Sequence, residues 1–81
     1  QIGSYDLALA DLNLAIELSP VSAQPYLDRA VIYMDVFEEF DLARADIEEA
    51  YSLAEEPRDR EVQDQSDALM ERLEQAEAGA S

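Results

Sequence analysis

The chain has 81 residues, with twenty Asp and Glu against five Arg, no Lys and no His, and a formal net charge of −15. Such a surface repels nucleic-acid phosphates and anionic lipid headgroups, so we expect neither a nucleic-acid nor a membrane partner. No apolar run approaches the roughly 20 residues that a membrane span needs, and the absence of Cys excludes disulfides and thiolate zinc sites.

The chain begins at Gln1 rather than Met, so we expect it to be a piece of a longer protein. An apolar fraction of 48% is too high for a disordered tail. The composition does not indicate a cellular compartment, and a cytoplasmic location is only the default expectation.

The first predicted helix covers residues 4–18. Its apolar residues recur at steps of three and four, which is the spacing of one helix face. They are Tyr5, Ala8, Leu12, Ala15 and Leu18. We expect Gly3 to form a turn before this helix and Ser19-Pro20 to end it, because the residue before a proline is pushed out of the helical region.

The second predicted helix has Ser22 as its N-cap and Pro25 in its first turn. Tyr26, Ala30 and Tyr33 mark its inner face. A third helix follows over residues 40–54, in which Arg44 can reach Asp41 and Glu48 at helical spacing.

This third helix repeats the first. Residues 5–18, "YDLALADLNLAIEL", and residues 40–53, "FDLARADIEEAYSL", are identical at seven of fourteen positions, thirty-five residues apart. Self-similarity at such a period is typical of a repeat array, in which each unit buries its apolar face by stacking on a neighbour.

A single long helix over residues 26–54 is an alternative for the middle of the chain. No Gly or Pro interrupts this stretch, and its apolar residues fit a heptad spacing that only Arg44 breaks. Such a helix would pair with another chain.

The last predicted helix begins near Asp59, after Pro57. Its inner face has one residue on each turn. These residues are Val62, Ser66, Leu69, Leu73 and Ala76. We expect residues 79–81 to be frayed.

The sequence contains few residue types that could act in catalysis or bind a metal. Without His, Cys or Lys, only hydroxyls and carboxylates remain, and neighbouring carboxylates on a helix point in different directions. The acidic stretch "DREVQDQSDALME" lacks the Gly turn and ligand spacing of a calcium loop. We therefore expect no catalytic residue, no metal site and no cofactor.

The segment "GSYDLALADLNLAIELSP" resembles the second helix of a tetratricopeptide repeat, with the family's spacing of glycine, aromatic, small, bulky, small and proline residues. The matching residues are Gly3, Tyr5, Ala8, Leu12, Ala15 and Pro20. The stretch "AQPYLDRAVIY" is similar to the family's first helix, with Tyr26, Ala30 and Tyr33 at its marked positions.

This resemblance implies an all-α fold of about four helices, arranged as the antiparallel hairpins of an α-solenoid. Residues 1–20 would be the second helix of an incomplete repeat, 21–56 a complete hairpin and 57–78 a capping helix. The copies depart from the family's period of about 34 residues, and the turn "DVFEEF" lacks the family's glycine. With no complete first helix before it, the opening helix is expected to leave an apolar face uncovered.

The resemblance also implies a function, because the family binds peptides on the concave face lined by first helices. The positions of the second helix that would point outward there are Gln24, Leu27, Asp28, Val31, Met34 and Asp35. They lack the basic residues of a carboxylate clamp, so we expect a non-enzymatic scaffold that binds a basic or amphipathic peptide. The alternative is a structural element that forms a homodimer through its uncovered apolar faces.

Overall fold

The computed structural model describes residues 2–54 and 59–80, which form four α-helices and no strand. The helices are α1 (Ile2–Leu18), α2 (Gln24–Asp35), α3 (Phe40–Leu53) and α4 (Arg60–Ala80). The prediction of an all-α chain with four helices is confirmed. The predicted helix break at Pro57 lies outside the described residues.

Helix α1 begins one residue before Gly3, so the prediction of a turn at this glycine is wrong. The φ angle of Gly3 is not positive, and an added Cβ would meet open space. A helical glycine costs only about 0.5–1 kcal/mol relative to alanine, which the rest of a 17-residue helix offsets. The predicted end is confirmed, since α1 stops at Leu18 before Pro20.

Helix α2 starts without the predicted side-chain cap. The N-cap residue is Ala23 rather than Ser22, while Pro25 occupies the first turn as predicted. The Ser22 hydroxyl instead lies 3.0 Å from that of Ser19, in the turn between α1 and α2. The Tyr26 hydroxyl donates to the Pro20 carbonyl at 3.1 Å and ties the start of α2 to the same turn.

The alternative of one long helix over residues 26–54 is wrong, because residues 36–39 separate α2 from α3. Glu38 adopts a φ of 54°, the left-handed conformation that normally favours glycine. The Glu39 N–H then donates to the Tyr33 carbonyl at 2.9 Å. The hairpin therefore closes without a glycine, at the expense of local strain in Glu38.

The four helices pack in a definite order. Among the described residues, α1 contacts only α2, whereas α2 also contacts α3 and α4, and α3 contacts α4. The side-chain bonds of α2 reach Gln65 from Gln24 and Arg72 from Asp35, so α2 and α4 run in the same direction. The Cα extents of 35 × 28 × 16 Å correspond to two helix layers.

The core lies where α2, α3 and α4 meet. Its buried apolar residues are Leu27, Ala30, Met34, Ala43, Ile47, Ala50, Leu69 and Leu73. Ser66 is also buried in α4 and donates to the Val62 carbonyl at 2.8 Å, so its hydroxyl is satisfied within its own helix.

Helix α4 follows the predicted inner face. Ser66, Leu69 and Leu73 are buried, and Val62 and Ala76 are half-buried. The helix continues to Ala80, so the expected fraying is wrong for residues 79 and 80, and Ser81 lies outside the described residues. No residue of α1 is buried to the same degree, among those described.

Candidate functional site

Arg29 of α2 joins three helices. Its Nε and Nη2 donate to the two carboxylate oxygens of Asp46 in α3 at 2.8 and 2.7 Å, and Nη1 donates to Oδ1 of Asn13 in α1 at 2.8 Å. The guanidinium carbon also lies 5.7 Å from the Tyr26 ring centre and 5.8 Å from that of Tyr33. The hydrogen bond to Asp46 raises the pKa of Arg29, against the opposing effect of burial. This side chain therefore links α2 to both α1 and α3.

The six residues predicted for partner binding do not share one exposed surface. Leu27 and Met34 are 1% and 4% exposed and belong to the core, so the expectation that they point outward is wrong. The reason is that α4 packs across this face of α2 and brings Leu69 and Leu73 into the same core. Val31 is half-buried at the edge of the contact.

A groove of about 280 Å³ lies between α2 and α4, beside several of the predicted residues. Its lining is apolar at the floor and mostly polar at the rim. It consists of Gln24, Leu27, Asp28, Val31, Gln65, Ala68, Leu69 and Arg72. We call this the α2/α4 groove. It contains four of the six predicted residues, while Met34 lies below it in the core and Asp35 is bonded to its lining residue Arg72.

Polar bonds close the two ends of the α2/α4 groove. At one end, Nε2 of Gln24 lies 3.1 Å from Oδ1 of Asp28 and 3.4 Å from Oε1 of Gln65. At the other end, Nη2 of Arg72 donates to both oxygens of Asp35 at 2.9 Å. Asp35 is thereby paired with an arginine, whereas the hydrogen-bond partner of Asp28 within the described residues is the Gln24 amide.

A second groove of about 310 Å³ lies between α3 and α4 and was not predicted from the sequence. We call it the α3/α4 groove. Its lining consists of Ile47, Glu48, Tyr51, Ser66, Asp67 and Met70. The sequence signal for it is Tyr51, which was assigned to packing but is 48% exposed.

Arg44 of α3 contacts the lining residue Met70 and bonds to α4 rather than along its own helix. Its Nη1 lies 3.4 Å from the Met70 sulfur, and Nη2 forms an ion pair with Glu77. The expected reach to Asp41 and Glu48 is therefore replaced by a contact between α3 and α4.

The outer side of α1 carries exposed leucines. Leu7, Leu14 and Leu18 are 70%, 53% and 76% exposed, and Val21 in the following turn is 74% exposed. Leu7, Leu14 and Leu18 lie seven and four residues apart, so they form one stripe. Leu18 belongs to the apolar face predicted for this helix, whereas Leu7 and Leu14 do not, so the expectation of an uncovered apolar face is confirmed only in part.

These surfaces offer carboxylates and amides beside apolar patches. In the described parts of the chain, no group of three or more His, Cys, Asp or Glu side chains could hold a metal ion. Nor is any helix there long and apolar enough to span a bilayer. Comparison with protein-family models, curated proteins and solved structures gives no match.

Proposed function

We propose that this chain is a non-enzymatic scaffold for protein association, whose α2/α4 groove binds a basic or amphipathic segment of a partner protein. The observation that carries the proposal is the groove itself, with an apolar floor at Leu27 and Leu69 and the charged Asp28 at its rim. An apolar side chain of the partner would enter the groove, and a Lys or Arg beside it would reach Asp28.

The arrangement of helices supports a solenoid of the tetratricopeptide type as the framework for this binding. The parallel helices α2 and α4 would be the first helices of successive hairpins, with α3 between them and α1 as the second helix of an incomplete repeat. First helices line the concave face of such arrays, and the α2/α4 groove lies between two of them.

The overall charge favours a cationic partner as well. A net charge of −15 on 81 residues attracts a basic segment from a distance and speeds its association. Exposed charges are screened within about 8 Å at physiological ionic strength. The long-range attraction between the acidic chain and a basic segment should therefore weaken as salt is added. The ion pair with Asp28 should persist at higher salt concentrations, since a docked segment would exclude water from it.

Charge reversal at the groove tests the proposal. The probe is a synthetic peptide with leucines and lysines at helical spacing, and its affinity is measured by fluorescence anisotropy. We expect Asp28→Lys to weaken binding about fivefold to tenfold, because it removes one attraction and adds one repulsion. Asp28 is exposed, so the variant should fold, which circular dichroism verifies.

The matched control is Asp67→Lys, which makes the same change in net charge at the α3/α4 groove. It should reduce the affinity far less than Asp28→Lys does. Equal losses in both variants would mean that the peptide senses only the total charge, and the α2/α4 groove would be rejected as the site.

The alternative function, a self-associating structural element, is favoured by the exposed leucines of α1. A charge of −15 on each copy opposes it. Light scattering during size-exclusion chromatography separates the two ideas. A mass of 9.1 kDa at every concentration supports the scaffold, and a dimer that forms as concentration rises supports self-association.

A further inference from the structure

The two ends of the α2/α4 groove carry opposite charges. At the end near the start of α2, the charged lining residue is Asp28, which is exposed. Its Oδ1 accepts a hydrogen bond from the Gln24 amide at 3.1 Å, and no salt bridge to it forms within residues 2–54 and 59–80. An amide carries no net charge, so this end of the groove is anionic.

The other end of the groove presents a cation. Arg72 belongs to the lining, whereas Asp35, its ion-pair partner, lies outside it. Nη2 of Arg72 donates to both oxygens of Asp35, but Nε and Nη1 have no hydrogen-bond partner in the described part of the chain. Because the Arg72 side chain is also 51% exposed, its guanidinium keeps donors that a second acceptor can reach.

The distance between the two ends matches two turns of a helix. Asp28 and Asp35 are seven residues apart in α2, about 10.5 Å along the helix axis, and Arg72 is bonded to the far member of this pair. Two residues seven positions apart on a bound helix lie on one face with the same separation, and residues three and four positions along lie between them. Those intermediate residues would face the apolar floor at Leu27 and Leu69.

We infer that the α2/α4 groove accepts a helical partner segment with a base and an acid seven residues apart on its apolar face, and that these two charges fix its direction. The base pairs with Asp28 and the acid with Arg72. This inference rests on the proposed function and specifies its ligand. It requires a charge order rather than a net positive charge, since each contact is local.

Two isomeric peptides test the direction of binding. The first has a lysine, leucines three and four residues later, and a glutamate seven residues after the lysine, whereas the second exchanges the lysine and the glutamate. Acetyl and amide ends remove the terminal charges, and a hydrocarbon staple on the outer side keeps both peptides helical. Both then have no net charge, so the charge of −15 on the chain does not favour one over the other.

A nitroxide at the N-terminus of each peptide reports its direction through the broadening of amide signals in the ¹⁵N-labelled chain. The first peptide should broaden Gln24 and Gln65 most strongly, because its N-terminal lysine lies at Asp28. The second should broaden Asp35 and Arg72 most strongly, because its N-terminal glutamate lies at the guanidinium.

Variants of the cationic end test the contact with the acid, using fluorescent versions of the peptides in anisotropy measurements. Arg72→Gln should weaken the first peptide about threefold to fivefold, and it should cost nothing to a peptide whose glutamate is replaced by glutamine. Asp35→Asn should strengthen binding of the first peptide, since it removes a competing carboxylate. The matched control is Arg60→Gln, which makes the same charge change on α4 outside the groove lining and should leave the affinity unchanged.

The inference is overturned if both peptides broaden the same end, or if each broadens both ends equally. Either result would leave the groove as a binding site without a fixed direction. Equal weakening by Arg60→Gln would also overturn it, since the acid would then sense only the charge of the chain. If the isomeric peptides fail to bind while the leucine and lysine peptide binds in the groove, the inference fails alone. If none of the three binds there, the proposed function fails with it.

Discussion

Replacement of Asp46 by alanine should be far more damaging than most single changes on this small protein. The side chains of Arg29 and Asp46 are only 20% and 7% exposed, so Asp46→Ala leaves a charge without its partner in a half-buried position. Removing one partner of a buried pair costs about 3–5 kcal/mol. We expect the lower end, about 3 kcal/mol, because Arg29 keeps Asn13 and two aromatic faces.

This loss is large compared with the free energy of unfolding of the whole chain. At about 0.05–0.15 kcal/mol per residue, the free energy of unfolding is on the order of 4–12 kcal/mol for 81 residues. A loss of about 3 kcal/mol lowers the melting temperature by roughly 12–24 °C. Urea and thermal unfolding followed by circular dichroism measure both quantities.

The control is Asp35→Ala, which breaks the ion pair with Arg72. Those side chains are 51% and 44% exposed, and exposed pairs are worth only about 0–1 kcal/mol. If Asp46→Ala lowers the free energy of unfolding no more than Asp35→Ala does, then the ion pair of Arg29 does not stabilise the packing of α2 against α3.

Three further outcomes are expected. Glu38→Gly should stabilise the protein by about 0.5–1 kcal/mol in urea unfolding, because glycine adopts the φ of 54° without strain, whereas Glu39→Gly, at a φ of −89°, should not. Gly3→Ala should raise the free energy of unfolding by about 0.5–1 kcal/mol, because Gly3 lies in a helix. A decrease would indicate that Gly3 forms the turn predicted from the sequence. The thermal midpoint should rise as NaCl is added, because a net charge of −15 repels itself, and a fall would show that ion pairs outweigh this repulsion.

The number of helices could be predicted because the spacing of apolar residues and the prolines are local signals. The inner face of α4, with Ser66, Leu69 and Leu73, followed from that spacing. The turn at Glu38 could not be predicted in the same way, since the left-handed conformation has no signal in the sequence when glycine is absent.

The candidate site was harder to predict than the helices. Spacing around Tyr26 and Tyr33 placed Leu27 and Met34 outward, but helical spacing does not reveal that a later helix packs across the same face. Arg44 was assigned to neighbours on its own helix and instead bonds to α4. Both differences arise from contacts between residues distant in sequence, which local patterns do not specify.

Chemical-shift mapping by NMR tests the central claim most directly, with the ¹⁵N-labelled chain titrated by the leucine and lysine peptide. The proposed scaffold predicts saturable shifts that are largest at the amides of Gln24, Asp28, Gln65 and Arg72, which border the α2/α4 groove. Shifts that concentrate instead at Tyr51 and neighbouring residues of the α3/α4 groove, or that never saturate, would contradict it.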